Sequence, residues 1–169
     1  MEPTRKQKGD LAELMVACDL RQRGCKIAIP FGEECDYDLV IDREGSLERV
    51  QVKYVESDSR VIHVQCRSNS LTNGKVRRIK RYTRAMIDWL AVYDRTTDAC
   101  YYVPASELGE GRDMLTLRLA PPRNGQRVGI RFAENYVELD QRPQQTLDRM
   151  EPAGLEPATS CLQGRRSSN

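Results

Sequence analysis

The sequence predicts an α/β domain in which a mixed β-sheet is flanked by helices, in the order α-β-β-β-α-β. Three observations predict it. Residues 8–23 set Leu11, Leu14, Met15 and Cys18 at helical spacing. Residues 35–54, CDYDLVIDREGSLERVQVKY, read as two apolar strands on either side of a turn signal, Arg43-Glu44-Gly45-Ser46. Residues 89–93, WLAVY, form a strongly apolar strand that returns over 100–103 after a turn at 94–98.

Each element has a local reason. The apolar stripe of the helix fades at Gln22, and Gly24 supplies a C-terminal cap. Residues 26–29 form a short strand stopped by Pro30 and Gly32. The hairpin strands are 37–42 and 47–54. Over 60–67, Val61, His63 and Gln65 alternate with Ile62, Val64 and Cys66, which predicts a third strand of the same sheet. Residues 71–74 read as a loop and 76–87 as a helix. A capped short helix is expected over 104–108, a late strand over 115–119, a loop over 121–129, and a closing segment over 130–139. There is no internal repeat.

At 169 residues the chain is long enough for one domain, expected over 1–139, followed by a tail over 140–169. That tail is rich in Gln, Arg, Pro and Ser and is expected to be disordered. Residues 154–157 and 160–165 can be encoded by codons that resemble the T-arm and anticodon arm of a tRNA gene, so the reading frame is expected to run into such a gene on the opposite strand. Charged residues reach 31% with a net charge of only +2, so the distribution of charge is more informative than its sum. No apolar run approaches the roughly 18 residues of a membrane span, and no secretory leader is evident. A cytoplasmic protein is therefore expected, nucleoid-associated when bound to DNA. Six cysteines without a C-x-x-C pair read as reduced thiols. A single histidine, His63, excludes zinc sites built on several histidines and most histidine-dependent hydrolase chemistry.

The hairpin carries the chemistry. Val50, Val52 and Tyr54 share one face of its second strand, and Gln51 and Lys53 share the other. The turn brings Asp38 beside them. Two oxygen donors and an ammonium on a sheet suit a magnesium-dependent phosphodiester cutter, although by pattern alone Gln51 and Lys53 read first as the wet face of an ordinary hairpin. Between Asn69 and Ile87 there is no acidic residue, yet Lys75, Arg77, Arg78, Lys80, Arg81 and Arg84 all occur. Such a run neutralises phosphates. Tyr82 within it could stack on a base or contact the backbone, and Arg67 and Ser68 sit where they could reach phosphates near the metal. His63 reads as a packed or surface strand residue, with DNA contact as the alternative.

The ordered set KGDLAE at 8–13, YDLVID at 37–42, VQVKY at 50–54, and IDWLAVYD followed by YYVP within 87–104 resembles the PD-(D/E)XK nuclease superfamily. More narrowly, it is similar to the group I intron-associated branch, where glutamine takes the second acidic position. The resemblance covers residues 5–139. It implies a restriction-endonuclease-like fold and a metal-dependent endonuclease of the homing type acting on double-stranded DNA. By this resemblance Asp38, adjoining Leu39-Val40-Ile41, is the metal ligand in preference to Asp36. Gln51 supplies an amide oxygen, Lys53 stabilises developing charge or positions the attacking water, and Glu13 adds an acidic ligand from the first helix. The implied cofactor is Mg2+, with Mn2+ as a substitute. Gln51 in place of an acid removes one negative charge, which lowers both metal affinity and phosphate repulsion. One active site cuts one strand, so a chain of this size is expected to work as a homo-oligomer. The rival expectations are a structure-selective nuclease of the Holliday-junction type and a catalytically inactive DNA-binding module.

Overall fold

The computed structural model describes residues 2–32, 35–72, 75–122 and 128–139, of which 70–72 and 75–78 by backbone only. The tail expected over 140–169 lies outside the described residues, as does most of the loop expected over 121–129.

Helix α1 spans Arg5–Gln22 and begins earlier than expected, because Thr4 and Gln7 close a capping box around its first turn. Such a cap stabilises a helix by about 1 kcal/mol. Its end is a Schellman turn: Cys25 N–H donates to Leu20 O, Gly24 N–H donates to Arg21 O, and Gly24 takes φ 86°. The buried face is Ala12, Val16 and Leu20, whereas Leu11 and Leu14 are 37% and 69% exposed. The buried face is thus rotated from the stripe expected through Leu11, Leu14, Met15 and Cys18, of which only Met15 packs against this core.

The strands are β1 (Lys26–Ala28), β2 (Leu39–Arg43), β3 (Ser46–Val55), β4 (Val61–Gln65), β5 (Arg67–Thr72), β6 (Lys75–Arg81), β7 (Trp89–Asp94), β8 (Ala99–Pro104) and β9 (Met114–Arg118). Five of them form the central sheet in the order β1-β2-β3-β7-β8, mixed because β3 and β7 run parallel. The β2–β3 turn has two residues, Glu44 and Gly45, at φ 55° and 84°, with Arg43 paired to Ser46. Positive φ at both positions is the twist-matched geometry of a type I′ hairpin.

One face of this sheet packs α1 against Leu39, Ile41, Val50, Val52, Trp89 and Ala91. The other face, with Leu90, Val92, Tyr101 and Val103, packs against Ile62 and Val64 of β4 and Leu115 and Leu117 of β9. A 3₁₀ turn at Ala105–Leu108 and another at Ala133–Tyr136 complete this second layer. The first of these replaces the capped helix expected over 104–108; Pro104 stands at its cap position and makes no side-chain capping bond.

Two expectations are corrected. Strand β4 is not a further strand of the central sheet; it pairs antiparallel with β9 in a sheet of its own. Its alternation sets which residues are buried and says nothing about the partner strand. Residues 76–87 are not helical, and 71–74 are not all loop: β5 and β6 form an antiparallel hairpin with a bulge at Ser70/Leu71. On a helix Arg77, Lys80, Arg81 and Arg84 would be mutually repelling i,i+3 and i,i+4 neighbours. A strand sends adjacent side chains to opposite faces and separates them.

The five cysteines among the described residues are free thiols, and Cys25, Cys66 and Cys100 are buried. No helix among the described residues is long and apolar enough to cross a membrane.

Candidate active site

The site forms where the β2–β3 ladder ends. Leu39 pairs with Val50, and the preceding residue, Asp38, continues the ladder through its N–H to Val50 O at 2.9 Å. One step further along β3, the N–H of Val52 would lack a partner strand. The Asp38 carboxylate takes that place: its Oδ2 accepts from Val52 N–H at 2.7 Å and from the side-chain amide of Gln51. The sheet itself therefore fixes the orientation of this carboxylate.

Gln51 and Lys53 project from β3 into the second layer, beside Leu90 and Val92 of β7. Gln51 is buried, and its Nε2 also donates to Val52 O at 3.2 Å. Lys53 Nζ donates to the Tyr82 hydroxyl at 3.2 Å and lies 4.8 Å from that ring's centroid. Glu13 of α1 lies near enough to Asp38 for that residue's charge to act on it.

The electrostatics follow from this crowding. Burial pushes the Asp38 carboxyl above its usual pKa, against the lowering influence of the Val52 N–H, the Lys53 charge and the Gln51 amide. Burial also raises Glu13, and the charges of Asp38 and then Asp10 add to the effect. A partly desolvated Glu13 whose ionised form is further disfavoured by the Asp38 charge, beside a desolvated Asp38, favours a nearby cation. Among the described residues there is no cluster of three or more His, Cys, Asp or Glu side chains, so a metal here would rely on Glu13, Asp38 and the amide oxygen of Gln51. That hard oxygen set fits Mg2+, which binds few protein groups and keeps several waters. The Gln51 amide now turns its nitrogen to Asp38, and offering its oxygen requires the amide to rotate.

The structure thus brings Glu13, Asp38, Gln51 and Lys53 together. Asp36 is elsewhere, in an ion pair with Lys80. The basic residues lie on the β5–β6 hairpin and the turn after it. Arg67 and Arg81 both pair with Asp113, at 3.4 and 2.9 Å. Ser68 is half-buried and stands opposite Lys80 in the register, and Arg84 is exposed. Lys75, Arg77 and Arg78 belong to β6 by their backbone. His63 is an exposed strand residue beside Thr116.

Sequence reasoning assigned Tyr82 a contact with DNA rather than with Lys53, and missed Asp113. Tyr82 is only 3% exposed, so it does not offer a stacking surface to a base. Reading 75–81 as a strand would have ended it at Tyr82, facing the core. No sequence signal marks Asp113, whose importance comes from a contact distant along the chain.

The architecture matches that of a bacterial homing endonuclease, I-Ssp6803I, with a TM-score of 0.64 over 79% of this chain and 88% of that one. The two are 22% identical, so the likeness establishes a restriction-endonuclease-like fold. The family profile described as PD-(D/E)XK endonuclease matches residues 3–139, and the chain belongs to that nuclease family. No curated protein sequence matches it.

Proposed function

We propose that this chain is a Mg2+-dependent DNA endonuclease of the homing type, with Glu13, Asp38, Gln51 and Lys53 as its active site. The observation that carries the reading is the convergence on one strand end of a backbone-locked carboxylate, a second carboxylate from α1, an amide and an ammonium. Glu13, Asp38 and Gln51 would hold the cation, which when bound supplies Lewis-acid charge and acidifies a water. Lys53 stands on the same face of β3 as Gln51 and offers a fixed positive charge to the phosphate as negative charge develops. Arg67, Ser68, Lys80, Arg81 and Arg84, together with Lys75, Arg77 and Arg78, form a basic arm that would neutralise backbone phosphates. The homing assignment draws on the D…QxK pattern and on the fold shared with a bacterial homing endonuclease. Double-strand cutting by a chain with one such site calls for a homo-oligomer, and Mn2+ would substitute for Mg2+.

The test is cleavage of a plasmid library and of four-way-junction DNA by wild type, D38A and K53A, with Mg2+, with Mn2+ and with chelator. Metal-dependent cutting of plasmid, lost in D38A and reduced to a residual rate in K53A, is the expected result. Preference for the junction would replace the homing assignment with a structure-selective nuclease. Cutting at the wild-type rate after either substitution, or binding to DNA without any metal-dependent cutting, would overturn the active-site reading.

A further inference from the structure

We infer that Tyr82 is the positioning residue for Lys53, holding the ammonium at the active site through its hydroxyl and the face of its ring. The inference rests on the reading of Lys53 as an active-site group. A lysine ammonium sits on a flexible four-carbon stem and stays in place only where something holds it. Here the 3.2 Å bond to the phenol and the 4.8 Å approach to the ring centroid act on the same Nζ. Tyr82 is itself immobilised, being 3% exposed, packed in the second core with Ile62, Val64 and Ile87, and bonded through its N–H to Cys66 O at 3.0 Å.

The chemistry of the partner matters. Among the described residues Lys53 bonds a neutral phenol and pairs with no carboxylate. A carboxylate would fix the ammonium equally well but would cancel its charge. A phenol and a π-face orient the cation and leave its charge available to a phosphate. Tyr82 also directly follows β6, so the strand that carries Lys80 and Arg81 continues into the residue that holds Lys53.

The test uses the full-length protein as Y82F, Y82L, K53A and the Y82F/K53A double variant. The first readout is the NMR shift of the Lys53 ε-methylene protons in metal-free protein, which the ring moves upfield in wild type. Y82F is expected to keep that shift and Y82L to lose it. The second is single-turnover nicking of supercoiled plasmid with Mn2+, alongside plasmid affinity. Y82F is expected to slow nicking about tenfold, the loss of one hydrogen bond to a charged group, with affinity unchanged. In the K53A background Y82F should slow the residual rate no further. An unshifted ε-methylene in folded wild type would overturn the inference, as would an undiminished Y82F effect in the K53A background. Should Y82L fail to fold, Y82F and the double variant still decide. If K53A nicks as fast as wild type, the active-site reading fails instead, whereas the methylene shift reports on the Tyr82 contact alone.

Discussion

The two hairpins of this protein carry opposite designs. In β2–β3 the site's polar groups are locked: the turn fixes the register, both faces of β3 are packed, and Asp38 is bonded to the backbone of the strand it faces. In β5–β6 the described cations are held by ion pairs, Lys80 to Asp36 and Arg67 and Arg81 to Asp113. Chemistry that needs reacting groups held within fractions of an ångström is placed where the fold is rigid. Affinity for a polyanion needs charge more than fixed geometry, and an exposed ion pair is a contact that a phosphate can replace.

The sharpest way to break the comparison is at Asp38. Asp38→Asn keeps the shape, removes the charge and presents an amide to Val52 N–H and Gln51. Cleavage is expected to fall by at least about 10²-fold, the scale of losing one preorganised electrostatic group, while DNA affinity stays near wild type. Asp38→Ala also leaves a buried N–H without an acceptor and is expected to lower stability by about 1–3 kcal/mol, read as a drop in Tm. A variant of Arg67 or Arg81 should do the reverse, weakening binding and reducing its salt dependence with little change in the rate of bound complex.

The unequal legibility of the two hairpins has the same origin. The first is contiguous in its turn, alternation and motif, so Asp38, Gln51 and Lys53 fall within one stretch, while their roles, the choice of Asp38 over Asp36 and Glu13 itself came from the family resemblance. The second was mistaken for a helix because Val76, Ile79 and Tyr82 recur at a spacing of three, while the repulsion that forbids the helix is a property of its charges. The separate β4–β9 sheet was not legible because its strands lie far apart in sequence. Asp113 escaped notice, and Tyr82 was read as a DNA contact rather than as a partner of Lys53, because each acts through a contact with a distant residue.

The next prediction concerns pH. Asp38 and Glu13 both have raised carboxyl pKa values in the fold, chiefly from burial. Between the ordinary carboxylate pKa and the raised one, the native state holds more protons than the unfolded state, so stability falls as pH rises through that window. In metal-free protein Asp38→Asn should flatten this part of the Tm-against-pH curve, and saturating Mg2+ should do the same by favouring the ionised forms. At Mg2+ below saturation, where protons compete with the cation for these carboxylates, the acid limb of cleavage should lie above the ordinary carboxylate range, and saturating Mg2+ should move it down. Gln51→Glu adds a further negative charge at this point. It should lower Tm without metal and move the Mg2+ dependence of cleavage to lower concentration, with the opposite sign excluding Gln51 from the cation site.

The smallest expected effect is at the root of the basic arm. Asp113 is held below its ordinary pKa by its bond to Arg81, by that residue's charge and by Arg67. Asp113→Asn removes the carboxylate that keeps both guanidinium groups turned to the protein. Exposed pairs of this kind contribute little to stability, so Tm should barely move. With the competing carboxylate gone, plasmid affinity at low salt should rise, and its decline with added salt should steepen as more phosphates are engaged. A large fall in Tm with no change in salt slope would instead make Asp113 part of the rigid frame, and the contrast between a locked hairpin and a loosely tethered one would then fail at this residue.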